Sequence, residues 1–349
     1  MKNKKKAGKS MKKAISLLLA LVLAMSIAAC SGNSSAPATT ATEATAAATE
    51  ATAAPSTEPN PFPMQFKTYM DMTVTISAVP ERVIAANTNT ADQLYAMGLG
   101  DKIIGVCAAN SRISPEFQQM YEAAPHLAEK AATLEQLLDA DPDFVYGRSS
   151  AFSEKNGTTH DILTSYGISS LSSIEGYKLG ADVEDVYQDF YNLGEIFQLQ
   201  DRANEIVEEM KEKIAAVETA IAGTDPVNVF VFDVLREDGA YTCGNNFTAK
   251  LIRHAGGINV FEQMEKTWAV VSWESVIDKN PDVIIINDYG STSLEDKIAQ
   301  LKENPALASV PAIQNDRIYS VTLCEVFASS MTAGTIEKFA HAFHPECFQ

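Results

Sequence analysis

Two glutamates occupy matching positions in two similar segments that lie far apart in the chain. Glu135 lies in Thr133-Leu-Glu-Gln-Leu-Leu-Asp-Ala-Asp-Pro-Asp-Phe-Val-Tyr146, and Glu274 lies in Ser272-Trp-Glu-Ser-Val-Ile-Asp-Lys-Asn-Pro-Asp-Val-Ile-Ile285. The hydroxyl residue that opens each segment is a typical helix N-cap, so each glutamate falls in a first helical turn, where the helix dipole favours an anion. Each carboxylate could bind a cationic partner, or simply stabilise its own helix by about 0.3–1 kcal/mol. A repeat of this length predicts a duplicated α/β unit.

The histidines and cysteines offer little catalytic or metal-binding chemistry. His341 and His344 have helical spacing and, with Glu346 and Cys347 nearby, could bind a metal, but a solvated C-terminal tail is the favoured interpretation. The spacing selects no disulfide among Cys107, Cys243, Cys324 and Cys347. The sequence has no nucleophile elbow, phosphate loop or triad motif. We therefore expect no enzyme activity, no cofactor and no metal site.

The first thirty residues predict export. Seven lysines precede an apolar run over 14–24, which is too short for a comfortable bilayer span, and small residues follow up to Ile27-Ala28-Ala29-Cys30. This arrangement predicts a signal peptide over 1–29. The closing tetrapeptide resembles the bacterial lipobox, whose cysteine is lipidated (palmitate) in the mature protein. An ordinary signal peptide with an incidental cysteine is the alternative.

Charge and composition exclude some partners and predict a tether. Removal of residues 1–29 changes the net charge from −18 to −25, with 20 basic residues against 45 acidic ones. Nucleic-acid binding, which needs a basic surface, is therefore not expected. Residues 30–62 predict a lipidated cysteine followed by a disordered Ala/Thr/Ser/Glu/Pro tether of about 30 Å average span. We expect a lipid anchor at the extracytoplasmic face of a bacterial cell membrane.

Apolar periodicity places the rest of the chain in two α/β halves. The first, over 63–181, opens with a strand or hairpin near Met70–Val79, and the second covers 227–349. Predicted strands are Arg82–Ala86, Lys102–Cys107, Phe144–Gly147, Ile168–Ser172, Asn228–Val234, Val283–Asn287 and Arg317–Val321. Linking helices are predicted over 182–226, with an interruption near Gln198–Asp201. The expected fold class is α/β: two similar lobes with parallel-sheet cores, a long rigid inter-lobe helix, and a ligand cleft between the lobes.

With these elements placed, the chain resembles a known family over residues 65–349. The motifs that carry the resemblance are the two glutamate segments together with Val79-Pro80-Glu81-Arg82-Val83-Ile84, Gly98-Leu-Gly-Asp101-Lys-Ile-Ile-Gly105-Val106, Asn192-Leu-Gly-Glu-Ile-Phe197 and Gly256-Gly257-Ile-Asn259-Val260-Phe261. In this order they are similar to those of ABC-transporter solute-binding lipoproteins of the iron-siderophore and cobalamin class (class III periplasmic-binding).

The resemblance implies a non-enzymatic, monomeric receptor that captures an iron-siderophore chelate and delivers it to a permease dimer with its ATPase. In this family one exposed glutamate on each lobe meets arginines of the permease, which implies docking roles for Glu135 and Glu274. Cobalamin or another corrinoid, and heme, are alternative ligands. A chelatase-like enzyme would need an acid–base group over the cleft, and an adhesive lipoprotein would bind no small ligand.

The ligand is expected between the lobes, against loops at the carboxyl ends of the strands. Aromatic side chains there would supply apolar walls, and arginine can pair with anionic oxygens of a chelate. Each candidate also has a purely structural interpretation, such as an ion pair for Arg148, the core for Trp268 or a strand position for Tyr241. The candidates are Asn87, Thr88, Asn89, Arg148, Phe152, Asp233, Arg236, Tyr241, Trp268, Tyr289, Glu325 and Phe327.

Overall fold

The computed structural model describes residues 61–108, 111–237 and 239–348. The predicted signal peptide, Cys30 and nearly all of the predicted tether lie outside these residues. Within the described ranges, no helix combines the length and the apolar character needed to cross a bilayer.

Lobe 1 is built on a parallel sheet. Its strands are β1 (Met64–Lys67), β2 (Thr73–Ile76), β3 (Val83–Ala85), β4 (Ile103–Cys107), β5 (His126–Ala128), β6 (Phe144–Gly147) and β7 (Ser169–Ser172). Its helices are α1 (Thr88–Ala96), α2 (Gln118–Ala123), α3 (Leu134–Ala140) and α4 (His160–Ser165). Strands β5-β4-β3-β6-β7 pair in parallel, while β1 and β2 form an antiparallel hairpin. The hairpin begins at Met64, earlier than predicted, because Phe66 alternates with exposed neighbours and is buried.

Lobe 2 repeats the parallel sheet and adds an antiparallel one. Its strands are β8 (Val227–Phe232), β9 (Val234–Arg236), β10 (Gly239–Cys243), β11 (Gly257–Asn259), β12 (Trp268–Val271), β13 (Val283–Asn287) and β14 (Ile318–Val321). The order β11-β8-β13-β14 is parallel, and β12-β10-β9 is antiparallel. The predicted parallel-sheet cores of both lobes are therefore confirmed.

Two helices connect the lobes, and further helices surround the sheet of lobe 2. The connectors are α5 (Val183–Phe197) and α6 (Gln200–Ala220), and the helices of lobe 2 are α7 (Phe247–His254), α8 (Trp273–Lys279), α9 (Leu294–Lys302), α10 (Pro311–Gln314), α11 (Leu323–Val326) and α12 (Thr332–Phe343). The left-handed Gln198 (φ 58°) separates α5 from α6, where the interruption was predicted. Beyond it the chain turns back, because Lys211 of α6 lies 5.6 Å from the ring of Tyr187 on α5. The connector is a helical hairpin whose longer arm is the 21-residue α6.

The connector and both lobes share buried apolar packing. One cluster includes Val83 of lobe 1, Phe190 and Val207 of the connector, and Phe339 of lobe 2, all fully buried. Close packing of this kind transmits force and resists bending. It agrees with the rigid connection that the sequence predicted.

A buried carboxylate also ties the two lobes together. Asp92 on α1 accepts hydrogen bonds from Ser114 of lobe 1 through one oxygen, and from the N–H and hydroxyl of Ser330 of lobe 2 through the other, at 2.9 and 2.6 Å. Nearby, the amides of Asn89 and Gln93 both donate to Ala328 O, at 2.9 and 3.0 Å. These contacts satisfy buried polar groups across the lobe interface, and removal of one partner would leave the others unpaired.

Candidate functional site

The candidate ligand site consists of two neighbouring cavities where the lobes face each other. One, of about 390 Å³, is lined by the loops after β6 and β7 of lobe 1 and by Phe247, Thr248 and Trp268 of lobe 2. The other, of about 410 Å³, is lined by the start of α1, residues 129–131 and Leu323. Arg148, Ser150 and Phe327 line both cavities. Together they form the cleft that the carboxyl ends of the parallel strands were expected to face.

Six of the predicted ligand-binding residues line this cleft: Asn87, Thr88, Asn89, Arg148, Trp268 and Phe327. The first three stand at the start of α1, directly after β3. Asn87 Oδ1 accepts a hydrogen bond from the N–H of Arg148 at 2.7 Å, so the two loops of lobe 1 are fixed to each other. Asn89 is 1% exposed and its amide is used to hold lobe 2. It therefore contributes mainly to the back of the cleft.

Arg148 is the central charged group of the cleft, and it is already paired. Its Nε and Nη2 donate to the two carboxylate oxygens of Glu175 at 3.1 and 2.9 Å, and its guanidinium lies 3.8 Å from the ring centre of Phe327. This bidentate geometry is the strongest form of an arginine–carboxylate contact. Arg148 thus joins the lobes through a cation–π contact while its charge is balanced within lobe 1.

The wall contributed by lobe 2 is aromatic. Trp268 on β12 stacks on Tyr241 of β10, with ring centres 5.6 Å apart, and the guanidinium of Arg236 lies 5.5 Å from the Tyr241 ring. Trp268 lines the cleft, whereas the structure places Tyr241 and Arg236 behind it along the antiparallel sheet. Tyr241 and Arg236 therefore support the wall rather than line it.

Asp233 and Tyr289 form a separate polar network at the ends of β8 and β13. Asp233 is 3% exposed and accepts from the amide of Asn287 and the hydroxyl of Tyr289, each at 2.8 Å. Burial and the neighbouring Asp233 charge raise the pKa of Tyr289 far above its ordinary value. Beneath them the buried Lys297 donates to Asn287 O at 2.5 Å, and burial lowers its pKa. Asp233 and Tyr289 line neither of the two cavities, and the carboxylate of Asp233 already has two hydrogen-bond partners in this network.

Two further predicted residues lie away from the two cavities. Phe152 is buried in the core of lobe 1, stacked on His160 with ring centres 4.1 Å apart. Glu325 turns back to accept from the N–H of Thr322 in a capping box and pairs with Lys338 at 2.7 Å. It lines a different cavity of about 550 Å³ against α6. That cavity is larger than either part of the cleft, and its walls come from α6 together with residues 114–116 of lobe 1 and 330–335 of lobe 2.

Glu135 and Glu274 occupy equivalent positions in the structure. Each is exposed at the second position of a seven-residue helix, α3 or α8, whose N-cap is Thr133 or Ser272. Hydrogen bonds from its own backbone N–H and from Ser272 lower the pKa of Glu274. Because each helix runs antiparallel to its sheet, its N-terminus lies at the carboxyl ends of the strands, as does the cleft. Each lobe thus presents one exposed carboxylate at a helix N-terminus.

The loop after β7 contributes cleft residues that were not predicted from the sequence. Glu175 lies there in a short 3-10 turn, Ile174–Gly176, and Tyr177 and Lys178 follow it along the cleft wall. Glu175 could have been proposed as a cleft residue because it follows a parallel strand. Its pairing with Arg148, which lies 27 residues away in the chain, could not be read from the sequence. Asn245 and Asn246, after β10, were missed because β10 itself was not predicted.

The described residues contain no group of three or more His, Cys, Asp or Glu side chains arranged to hold a metal ion. His344 is buried and contacts Gly256 O at 3.1 Å, so the end of the chain is packed on lobe 2 rather than solvated. Cys107, Cys243, Cys324 and Cys347 are free thiols. Burial raises the pKa of Cys107 to about 11, which keeps it protonated and unreactive at neutral pH.

Comparison with known proteins identifies the family. The family described as periplasmic binding protein matches residues 83–322. The chain belongs to this family. The uncharacterized ABC transporter substrate-binding lipoprotein YvrC of Bacillus subtilis is 22% identical over 82% of this chain and 88% of its own length.

Solved structures agree with the periplasmic binding protein fold. A periplasmic binding protein from Veillonella parvula is 26% identical, with a TM-score of 0.73 over 81% of this chain and 97% of that one. An ABC-type Fe3+-hydroxamate transport system protein from Saccharomonospora viridis is 23% identical, with a TM-score of 0.68 over 81% of this chain and 99% of that one. The chain is therefore an extracytoplasmic substrate-binding protein of an ABC importer, in the group that includes iron-chelate, cobalamin and heme receptors. Proteins of this family are transport receptors.

Proposed function

We propose that this protein captures an iron-siderophore-type chelate in the inter-lobe cleft and delivers it to a membrane permease dimer with its ATPase. The observation that carries the proposal is the cleft itself. Its neighbouring cavities of about 390 and 410 Å³ share Arg148 and Phe327, and Trp268 lines the smaller one. A largely preformed concave site with aromatic walls and a few polar groups is typical of small-molecule receptors.

Cobalamin or another corrinoid, and heme, are the alternative ligands within the same proposal. A vitamin B12-binding protein of Photorhabdus laumondii and a heme-binding protein of Roseiflexus are among the matches. The same scaffold serves different ligands through its loops, so the ligand must be read from the cleft and not from the fold. The paired state of Arg148 is the feature of this chain that bears on the choice.

Calorimetric titration of the purified chain tests the proposal. The panel is a ferric hydroxamate, a ferric catecholate, hemin and cyanocobalamin. We expect one of the ferric chelates to bind with a Kd below about 1 µM, a range that a well-formed pocket readily provides. Tight binding of only cyanocobalamin or hemin would replace the siderophore with that ligand. Absence of binding across the panel would contradict the proposal.

Anchoring and docking complete the proposal. We infer that Cys30 carries the lipid, that residues 31–62 act as a tether for a monomeric receptor, and that Glu135 and Glu274 meet arginines on the two permease subunits. Exposed carboxylates on two rigidly connected lobes suit recognition of a two-fold partner, since charge-assisted contacts to arginine fix orientation. Cys30→Ser should release the protein from the membrane fraction, whereas Cys347→Ser, at the opposite end of the chain, should not.

A further inference from the structure

Two of the three cations that line the cleft are paired with carboxylates. The described residues that line the two cavities carry three basic and two acidic side chains: Lys130, Arg148, Lys178, Glu129 and Glu175. Lys178 is in turn bound by both carboxylate oxygens of Asp185, at 2.7 and 2.9 Å. Arg148 and Lys178 thus each have a carboxylate partner of their own, and Lys130 and Glu129 add one exposed charge of each sign to the lining.

The pairing of Arg148 with Glu175 is built into the fold. The turn that carries Glu175 lies directly on the Arg148 loop, where a Cβ on Gly176 would stand 2.9 Å from Arg148 Cα. The hydroxyl of Ser149 donates to Gly176 O, and the buried carboxyl of Asp189 accepts from the N–H of Ile174. The side chain of Glu175 is only 6% exposed. Contacts on both sides of Glu175 thus hold its carboxylate against Arg148.

This geometry changes what Arg148 can offer a ligand. A cation with a carboxylate 2.9 Å away acts on a ligand as a dipole, so its attraction for an anion falls off much faster than that of a free charge. At Arg148, an anionic chelate would have to displace Glu175, or lose its hydration without full compensation from the guanidinium charge, and both are costly. The net charge of −18 on the whole chain adds repulsion.

The uncharged surfaces of the cleft are favourable for a neutral ligand. Trp268 and Phe327 present half-buried rings from lobe 2, and Ser150 and Asn245 offer uncharged hydrogen-bonding groups. Aromatic rings contribute contact area without requiring ligand charge.

Building on the proposed receptor function, we infer that the ligand is a metal chelate without net negative charge, and that Glu175 is the residue that excludes anionic chelates. For iron this favours a ferric trihydroxamate, in which three singly charged hydroxamates cancel the ferric charge. It disfavours a ferric tris-catecholate, which keeps a triple negative charge. Glu175 therefore determines specificity by neutralising Arg148.

The test is a calorimetric titration of the purified full chain in detergent with a ferric trihydroxamate and a ferric tris-catecholate. The wild type should bind the trihydroxamate and bind the tris-catecholate at least about tenfold more weakly, since one charge-assisted contact has about this value. Glu175→Gln should strengthen tris-catecholate binding by about tenfold or more and leave trihydroxamate binding within about twofold. Glu154→Gln, which changes an exposed carboxylate of lobe 1 that lines neither cavity, is the matched control and should change neither affinity by more than about twofold.

The outcomes separate this inference from the proposed function. Wild-type binding of the tris-catecholate as tight as that of the trihydroxamate would overturn the inference and support the receptor function. A folded Glu175→Gln variant, with an unchanged unfolding temperature and no gain in tris-catecholate binding, would overturn the role of Glu175. Absence of binding by both chelates would overturn the proposed siderophore function together with the inference.

Discussion

Lobe 1 and lobe 2 share the short helix that carries the exposed glutamate, together with the Pro-Asp and strand that follow it. They differ in the side chains with which they line the cleft. In both lobes a seven-residue helix, α3 or α8, starts at a hydroxyl N-cap and ends at a left-handed residue, Asp141 (φ 54°) or Asn280 (φ 48°). The Pro-Asp that follows leads into the next strand, and its aspartate accepts from the backbone at the start of the neighbouring strand, as Asp143 does from Arg82 and Asp282 from Asn228. The repeat seen in the sequence is a repeat of these contacts.

At the cleft this symmetry ends. Lobe 1 contributes the Arg148–Glu175 ion pair on the loops after β6 and β7. In lobe 2 the chain between β8 and β13 forms the antiparallel sheet, and this sheet presents Trp268 to the cleft. The helices proposed for docking are therefore repeated in the two lobes, as recognition of a two-fold permease would require. The proposed ligand cleft, in contrast, has two chemically different walls.

The lobes differ again in how each holds a histidine. In lobe 1, His160 is 2% exposed, contacts the hydroxyls of Ser170 and Ser172 at 2.7 and 3.0 Å, and has its pKa lowered to about 4 by burial. In lobe 2, His254 pairs with Asp182 and Glu218 of the connector, which raise its pKa to about 9. One histidine is held neutral and the other charged.

The largest expected effect concerns the two exposed glutamates of α3 and α8. Replacing both Glu135 and Glu274 with alanine should abolish uptake of the bound chelate by cells and leave its binding by the purified protein unchanged, because the two carboxylates are exposed and line neither cavity of the cleft. Radioactive iron uptake with the bound chelate measures the first, and calorimetry measures the second. Asp139→Ala with Asp278→Ala, which changes the other exposed acids shared by α3 and α8, is the control and should preserve uptake.

His160 should make lobe 1 sensitive to acid. Its folded pKa lies below its unfolded value, so its contribution to stability is present above about pH 6.5 and is lost as pH falls toward 4. Between pH 7 and pH 4.5 the free energy of unfolding should fall by about 2 kcal/mol through this group. Urea denaturation of the wild type and of His160→Gln measures the difference, and equal pH slopes for the two proteins would refute it.

His254 should have the opposite dependence. Its folded pKa lies above its unfolded value, so its contribution is complete below about pH 6.5 and is lost as pH rises through 9. Because Glu218 is half exposed, solvent weakens the pair, and we expect a loss of about 1 kcal/mol between pH 6 and pH 9. In His254→Gln this loss should disappear, while the acid sensitivity caused by His160 remains.

The last prediction tests the aromatic wall. Trp268→Ala should weaken binding of the chelate by about tenfold, because the substitution removes a large aromatic side chain that lines the cleft. Val270→Ala on the same strand, whose side chain is 44% exposed and does not line the cleft, should leave affinity unchanged. Equal affinities of the wild type and of Trp268→Ala would contradict a contact between Trp268 and the bound chelate.

The sequence predicted the parallel elements well and the antiparallel sheet poorly. Val283–Asn287 and Phe144–Gly147 match the predicted bounds, because apolar runs between clear stop signals define them. Strands β9, β10 and β12 were missed because each is short and their pairing joins residues up to 31 positions apart, as in Ala240 with Val271. Local patterns do not record such partners.

The site was predictable as far as strand ends locate it. Asn87 and Arg148 follow β3 and β6 directly, and the parallel sheet brings them into one cleft. The direction of a side chain was not predictable, which is why Phe152 lies in the core and Glu325 against α6. Nor was the partner of Arg148, because that contact depends on Gly176 allowing a close approach of two loops.

The most direct test is a crystal structure of the protein with a bound ferric trihydroxamate, with data collected at the iron absorption edge. The anomalous difference map should show one iron peak between Arg148 and Trp268, in the cleft that both lobes line. An iron peak elsewhere, such as in the cavity against α6, or a chelate that binds in solution but leaves the cleft empty, would contradict the placement of the ligand between the lobes.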